Sequence, residues 1–176
     1  MLPVRSWCVV ESANQTVHEE AELMAQTTVD GVEGVQGLVG EHLGHSEWVE
    51  ITQEQVDRFA EATGDHQWIH VDPERAKKES PFGGPIAHGY LTLSLLPSLV
   101  PQIVEITGFR MRVNYGTEKV RFPSPVPVGA RVRAGATMEA ATPFEGGIQM
   151  SLAVTVEIEG GTKPAMVATV VYRRYL

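Results

Sequence analysis

The chain of 176 residues predicts an α+β fold in which a curved antiparallel β-sheet wraps around one buried helix. Three observations lead there. Ile86 through Ile103 carries apolar side chains on nearly every side, so a helix over that stretch has to be buried. From about Val120 the apolar period changes to two, the mark of strands with one covered face. Gly146-Gly147 and Gly160-Gly161 fall where turns between successive strands are required, which makes those strands an antiparallel meander. A sheet with one apolar face and a helix with no polar face bury each other by packing together.

Residues 1–28 show no clear period. With Glu19, Glu20 and Glu22 among Ala21, Leu23, Met24 and Ala25, they form an acidic extension, either a short helix or a poorly ordered segment. Residues 29–176 are expected to form the folded domain. Val32, Val35, Leu38, Val39 and Leu43 stand three or four apart, so Val29 to Leu43 reads as a short amphipathic helix in spite of its glycines. Trp48 to Ile51 reads as extended. Thr52 and Gln55 have capping-box spacing, and Val56, Phe59, Ala60 and Ala62 give the helix they open an apolar face as far as Gly64. Asp72-Pro73 starts another short helix through Glu74, Arg75, Ala76 and Lys77. Pro97 and Pro101 predict a kink or a broken end in the buried helix. Val120 to Phe122, Ala130 to Ala134, Gln149 to Glu159 and Val167 to Arg173 are the expected strands. Two such sheets side by side would hide an edge, so a symmetric homodimer is expected.

Composition narrows the function classes. At 43% apolar residues, the length suits one well-filled domain. Cys8 is the only cysteine, so no intrachain disulfide exists and nothing points to an oxidising compartment. No stretch approaches the ~20 apolar residues of a membrane span, and Trp7-Cys8-Val9-Val10 is far shorter than the apolar region of a signal peptide. A cytoplasmic protein with no membrane partner is expected. The net charge of -8 belongs to the N-terminal third, where residues 1–57 hold eleven acids against Arg5 alone; the remainder holds thirteen bases against eleven acids. Arg110, Arg112, Lys119, Arg121, Arg131 and Arg133 gather in one region, as outward strand residues or as partners for an anionic ligand. Without a basic run interleaved with aromatics, nucleic acid is not an expected partner.

The chemistry is densest in Gly64-Asp65-His66-Gln67-Trp68-Ile69-His70-Val71-Asp72-Pro73 and in Gly83-Gly84-Pro85-Ile86-Ala87-His88-Gly89. An acid and an imidazole five residues apart on a loop, with a glycine at the mouth of the buried helix, are parts suited to moving water on or off a carbonyl substrate. Each has a plainer reading. Asp65 after Gly64 suits helix termination and capping, His70 a hydrogen-bonded structural role, and Gly89 close helix packing. His66 and His70, with Asp65, Asp72 and His88 nearby, also have the spacing of a helical zinc pair. A helix just ahead of Asp72-Pro73 is disfavoured, so no metal is expected.

Phe59-Ala60-Glu61-Ala62-Thr63-Gly64-Asp65, then His70-Val71-Asp72-Pro73, then Ile86-Ala87-His88-Gly89 resemble the hydratase motif of the MaoC-like, (R)-specific enoyl-CoA hydratases. Gly-Asp-His-Gln-Trp-Ile-His is similar to the branch that includes nodulation-protein-N-like sequences. The resemblance covers about residues 47–175. It implies the hot-dog fold, a homodimer, and a hydro-lyase of fatty acid metabolism that adds water reversibly to trans-2-enoyl-CoA to give (R)-3-hydroxyacyl-CoA. It also implies that Asp65 and His70 are the catalytic pair that holds the water and moves its protons. The backbone N–H of Gly89 is implied to polarise the thioester carbonyl from the N-terminus of the buried helix. Gln67, His88, Asn114, Tyr115, Lys119 and Arg121 are the candidate substrate-binding residues. Arg110 and Arg112 join Lys119 and Arg121 as candidates for the phosphates of coenzyme A, which enters as part of the acyl-CoA substrate, so no separate cofactor is implied.

Two positions depart from the family pattern. Gln67-Trp68 stands where many relatives have Asn-Pro, and Pro97 where some carry a serine lining the pocket. The first bears on hydrogen bonds around the pair, and both bear on acyl-chain preference. A hot-dog acyl-CoA thioesterase would use the same site, but the Asp65 to His70 spacing belongs to the hydratase pattern. A non-catalytic acyl-CoA-binding or signalling module is the remaining alternative, because a fold does not fix an activity.

Overall fold

The computed structural model describes residues 27–176, so the acidic extension expected over residues 1–28 falls almost wholly outside the described residues. The chain runs β1 (Thr27–Asp30), α1 (Gly31–Gln36), β2 (His42–His45), β3 (Val49–Glu50), α2 (Gln53–Thr63), α3 (Trp68–Val71), α4 (Pro73–Glu79), α5 (Gly89–Ser94) and α6 (Leu96–Ile103). It continues through β4 (Val104–Thr107), β5 (Met111–Arg121), β6 (Arg131–Phe144), β7 (Gly147–Ile158) and β8 (Met166–Tyr175). The main sheet has the order β2-β6-β7-β8-β5, antiparallel throughout, with β3 also paired to β6. β1 and β4 form a separate parallel pair.

The core lies between one face of that sheet and the central helix. Ile148, Met150, Leu152, Val154 and Val156, alternate residues of β7, are all buried, as are Val132, Ala134, Ala136 and Met138 of β6. Alternation puts both sets on the inner face. Leu96, Leu99, Val100 and Ile103 of α6 are buried in the same cluster. α6 packs on β6, where Ala134 and Ala136 leave room for a helix to approach. Leu99 is fully buried at this junction. Leu99→Ala is expected to destabilise the fold by about 2–5 kcal/mol, read as a lowered urea midpoint at unchanged slope.

The buried helix is broken just ahead of Pro97, whereas Pro101 lies inside α6, which runs on to Ile103. α5 ends at Ser94 and α6 begins at Leu96, with Leu95 as the joint. Pro97 sits in the first turn of α6, where its missing N–H would have had no partner within that helix. The helix expected over Val29 to Leu43 shrinks to Gly31–Gln36. Val29 instead sits in β1 opposite Ile106, and Leu43 in β2. Glycine weakens a helix over that span, while its valines can pair as strand. The sheet reaches beyond the expected strands, because β5 starts at Met111 rather than near Val120 and β6 runs on to Phe144.

Candidate functional site

Local signals place the loop that carries Asp65. The capping box forms as its spacing predicts: Gln55 N–H donates to Thr52 Oγ1 at 3.2 Å and Thr52 N–H to Gln55 Oε1 at 3.0 Å. At its other end α2 stops at Gly64, whose φ of 78° is a left-handed conformation that glycine adopts without strain. Asp65 therefore leaves the helix axis. His70 follows on the single turn of α3, and Asp72 caps α4, its Oδ1 accepting from Arg75 N–H at 3.0 Å. The second motif is pinned to the first by Ile86 N–H donating to Ile69 O at 3.0 Å. Ala87 N–H in turn donates to Val126 O at 2.8 Å.

These ties bring three side chains together. Asp65, His70 and His88 each offer one polar atom, and the three atoms lie within 4.8 Å of one another. His70 and His88 are buried, whereas Asp65 is exposed. The two imidazoles stack, with centroids 3.8 Å apart and planes 27° from parallel, and Phe59 lies against His88 at 5.0 Å. Gln67 N–H lies 3.4 Å from Asp65 Oδ1, at the long end of hydrogen bonding.

The backbone decides which ring nitrogens carry protons. His70 Nδ1 is 2.6 Å from Ile86 O. A carbonyl only accepts, so Nδ1 donates, and in the neutral ring Nε2 keeps a free lone pair. His88 Nε2 is 2.9 Å from the backbone oxygen of Asp65 and donates to it by the same argument. His88 thus braces the Asp65 loop, a role invisible in the motif. Burial pushes the His70 imidazole below its ordinary value; the Ile86 carbonyl opposes that shift, His88 adds to it, and Asp65 opposes it. His70 is therefore neutral at pH 7, as a base must be.

That depression also makes stability depend on pH. The folded imidazole binds a proton less readily than the unfolded one, so between the unfolded value of about 6.5 and the lower folded value the unfolded chain holds more protons. His45, lowered first by burial and then by Arg133, acts with the same sign. The denaturant midpoint is expected to hold above pH 6.5 and to fall as the pH drops below it. Equilibrium unfolding at a series of pH values measures this.

The trio also resembles a metal-ligand set, and the stack bears on that. A metal binds an imidazole in the plane of the ring at about 2.1 Å. Ring planes 3.8 Å apart and only 27° from parallel meet well beyond that reach, so no point lies in both planes at bonding distance from both nitrogens. The lone pairs serve proton transfer better than shared coordination.

Gly89 is the first residue of α5, and its N–H is one of the donors a helix start leaves unpaired. A Cβ there would lie 3.0 Å from the Phe122 ring, so the ring's close approach accounts for glycine at this position. Between the later part of the central helix and β5 lie two adjoining hollows. A hollow of about 280 Å³, bordered by Leu93, Ser94, Gly116 and Thr117, shares Leu96, Pro97, Asn114 and Tyr172 with a cavity of about 240 Å³. Met150 and Leu152 of β7 and Val100 of α6 give that cavity an apolar wall.

Not all of the sequence candidates gather here. Asn114 lines the cavity, as does Pro97. Tyr115 does not: it lies on the opposite face of the sheet, with the Arg173 guanidinium 3.5 Å over its ring, because neighbouring strand residues point to opposite sides. Lys119, at φ 53° in an irregular part of β5, borders a hollow with Thr155, Val167 and Thr169 away from this cavity. Arg121 is exposed and bonds back to the Val120 carbonyl at 2.7 Å. Arg112, Tyr172 and Arg174 do line the cavity, and of these only Arg112 stood out in the sequence, as a strand residue with positive charge.

Residues 34–159 match the family described as MaoC like domain. The chain is 51% identical over 147 residues to 3-hydroxyacyl-thioester dehydratase Z of Mycobacterium tuberculosis, covering 83% of this chain and 97% of that protein. It is 49% identical over 140 residues to Nodulation protein N of Rhizobium leguminosarum bv. viciae, covering 76% and 84% respectively. Its fold superposes on the (R)-hydratase from A. caviae involved in PHA biosynthesis with a TM-score of 0.61 and 26% identity, over 76% of this chain and 94% of that one. The hot-dog architecture expected above is thereby borne out.

Proposed function

This chain belongs to the MaoC like domain family, and from that premise we propose that it is a hydro-lyase acting reversibly on trans-2-enoyl-CoA and (R)-3-hydroxyacyl-CoA. Asp65 and His70 hold the water between them. As its oxygen bonds to C3, the pair takes one proton from it and returns one to C2, so H and OH add across the double bond. Negative charge moves onto the thioester oxygen during attack, and the Gly89 N–H at the helix start faces it. His88 keeps Asp65 in place through its backbone.

The observation that carries this reading is the 2.6 Å bond from His70 Nδ1–H to the Ile86 carbonyl. It leaves Nε2 as a neutral base beside the Asp65 carboxylate, which is the protonation state that water activation needs. Exposed Tyr90 and Phe122, in edge contact at 6.0 Å beside Gly89, offer an apolar surface to the substrate at the helix start. Chiral chromatography of the product tests the stereochemistry: the (R)-3-hydroxyacyl thioester is expected, and the (S) epimer or free acid would contradict it.

β5 is a largely exposed edge of eleven residues, with Met111 and Tyr115 uncovered. Such an edge invites pairing. We place a homodimer contact there, and light scattering is expected to give twice the chain mass; the mass of a single chain would contradict it.

A further inference from the structure

The wall of the 240 Å³ cavity formed by β5 and β8, where Arg112 and Asn114 are exposed and Tyr172 and Arg174 half-buried, carries a polar set that the water-adding chemistry does not use. Arg112 of β5 stands directly opposite Arg174 of β8, and Asn114 opposite Tyr172. All four line the cavity, two residues apart along each strand and so on one face. Like charges directly opposite each other in a sheet repel. Among the described residues, neither arginine is in an ion pair. Arg174 Nε is buried and has no hydrogen-bond partner. Burial, then Arg112, push the Arg174 guanidinium below its ordinary value, and burial pushes the Tyr172 phenol up, so the phenol keeps its proton. The four groups present guanidinium, amide and hydroxyl donors with no carboxylate to receive them.

We propose that this wall is a subsite for a carboxylate at the far end of the acyl chain, so that the protein prefers ω-carboxyacyl thioesters to methyl-terminated chains of equal length. The proposal rests on the hydratase reading and names its substrate class. The rest of the cavity suits such a chain, since Leu96, Val100, Ile106, Met150 and Leu152 would contact its methylenes. A carboxylate between two guanidiniums accepts paired, charge-assisted hydrogen bonds and relieves their repulsion. A phosphate of the coenzyme A carrier has the same chemistry and is the competing source.

The test compares the trans-2-enoyl thioester of adipic acid with trans-2-hexenoyl thioester, and the same pair two and four carbons longer, in wild type, Arg112→Met, Arg174→Met and the double variant. Wild type is expected to favour the carboxylated partner by about 10- to 100-fold in kcat/KM at its best chain length. The double variant is expected to lose or invert that preference. Preference for the methyl terminus at every length in wild type, or a preference that survives both substitutions, would overturn the proposal. Repeating the series on N-acetylcysteamine thioesters, which carry no phosphate, separates the two sources. A preference that persists there supports the acyl terminus, whereas an arginine effect seen only with coenzyme A assigns the pair to the carrier and overturns it. Calorimetry with saturated adipyl-CoA and hexanoyl-CoA needs no turnover. Tighter adipyl binding without hydration of any enoyl thioester would sink the hydratase reading and leave the subsite standing; equal binding would sink the subsite.

Discussion

Replacing His70 by alanine, or Asp65 by asparagine, is expected to lower kcat for enoyl-CoA hydration by about 10²–10⁴-fold, the range for losing a positioned acid or base. Asp65→Asn is the cleaner variant. It keeps the shape of an exposed side chain and removes only the charge, so its unfolding curve should match wild type. His70→Ala also leaves the Ile86 carbonyl without its donor, which costs about 1–3 kcal/mol, so its rate has to be read on protein shown to be folded. Because both groups act on one water, the double variant is expected to lose little more than either single one. The acid limb of kcat/KM should lie below pH 6.5, since burial holds the His70 imidazole down and rate is lost only when it gains a proton. Initial rates across pH check each of these outcomes.

Gly89→Pro is expected to cost about 10²–10³-fold in kcat through loss of one N–H aimed at the thioester oxygen. The backbone can accept the change. Position 89 opens α5, where proline is tolerated, and His88 before it has φ -62° and ψ 137°, the extended conformation a residue preceding proline favours. The Phe122 ring would meet the new atoms, because even a Cβ would lie 3.0 Å from it. Gly89→Pro is therefore compared with Gly89→Ala, which crowds Phe122 but keeps the N–H. Steady-state kinetics on both, each also with Phe122→Leu, separate the donor from the packing. If Gly89→Ala loses as much as Gly89→Pro after Phe122 is trimmed, the N–H is not the source of the effect.

Elements whose signals are local were legible in the sequence. Thr52 and Gln55 announce the start of α2, Gly64 its end, and Asp72-Pro73 the start of α4, because caps and breaks act within a few residues. The all-round apolar stretch before Ile103 announced its burial, and Pro97 the joint at Leu95; Pro101 makes no break. Most of β5 was not legible. It is an edge strand largely exposed along its length, and the short alternation of Met111 to Tyr115 is cut off by Gly116, Thr117, Glu118 and Lys119. Of β1, Val29 and Asp30 fall in the helix expected from Val29 and Thr27 and Thr28 in the extension, because the partner strand β4 lies about 77 residues away, beyond any local period. At the site, the order of Asp65, His70 and Gly89 was readable, but the brace from His88 to the Asp65 backbone spans 23 residues and needs coordinates. Tyr115 and Asn114 are separated only once β5 is known to begin at Met111, and the register irregularity between Asn114 and Gly116 is itself a feature of the paired strands.

The most direct test of the central claim follows the conjugated enoyl-thioester absorbance of crotonyl-CoA and longer enoyl-CoA chains with wild type, Asp65→Asn and His70→Ala, while a thiol reagent monitors free coenzyme A. Rapid loss of the absorbance is expected in wild type, near-complete suppression in both variants, and no thiol released. Release of thiol would identify a thioesterase, and bound enoyl-CoA that is never hydrated would identify an acyl-binding module; either result contradicts the account.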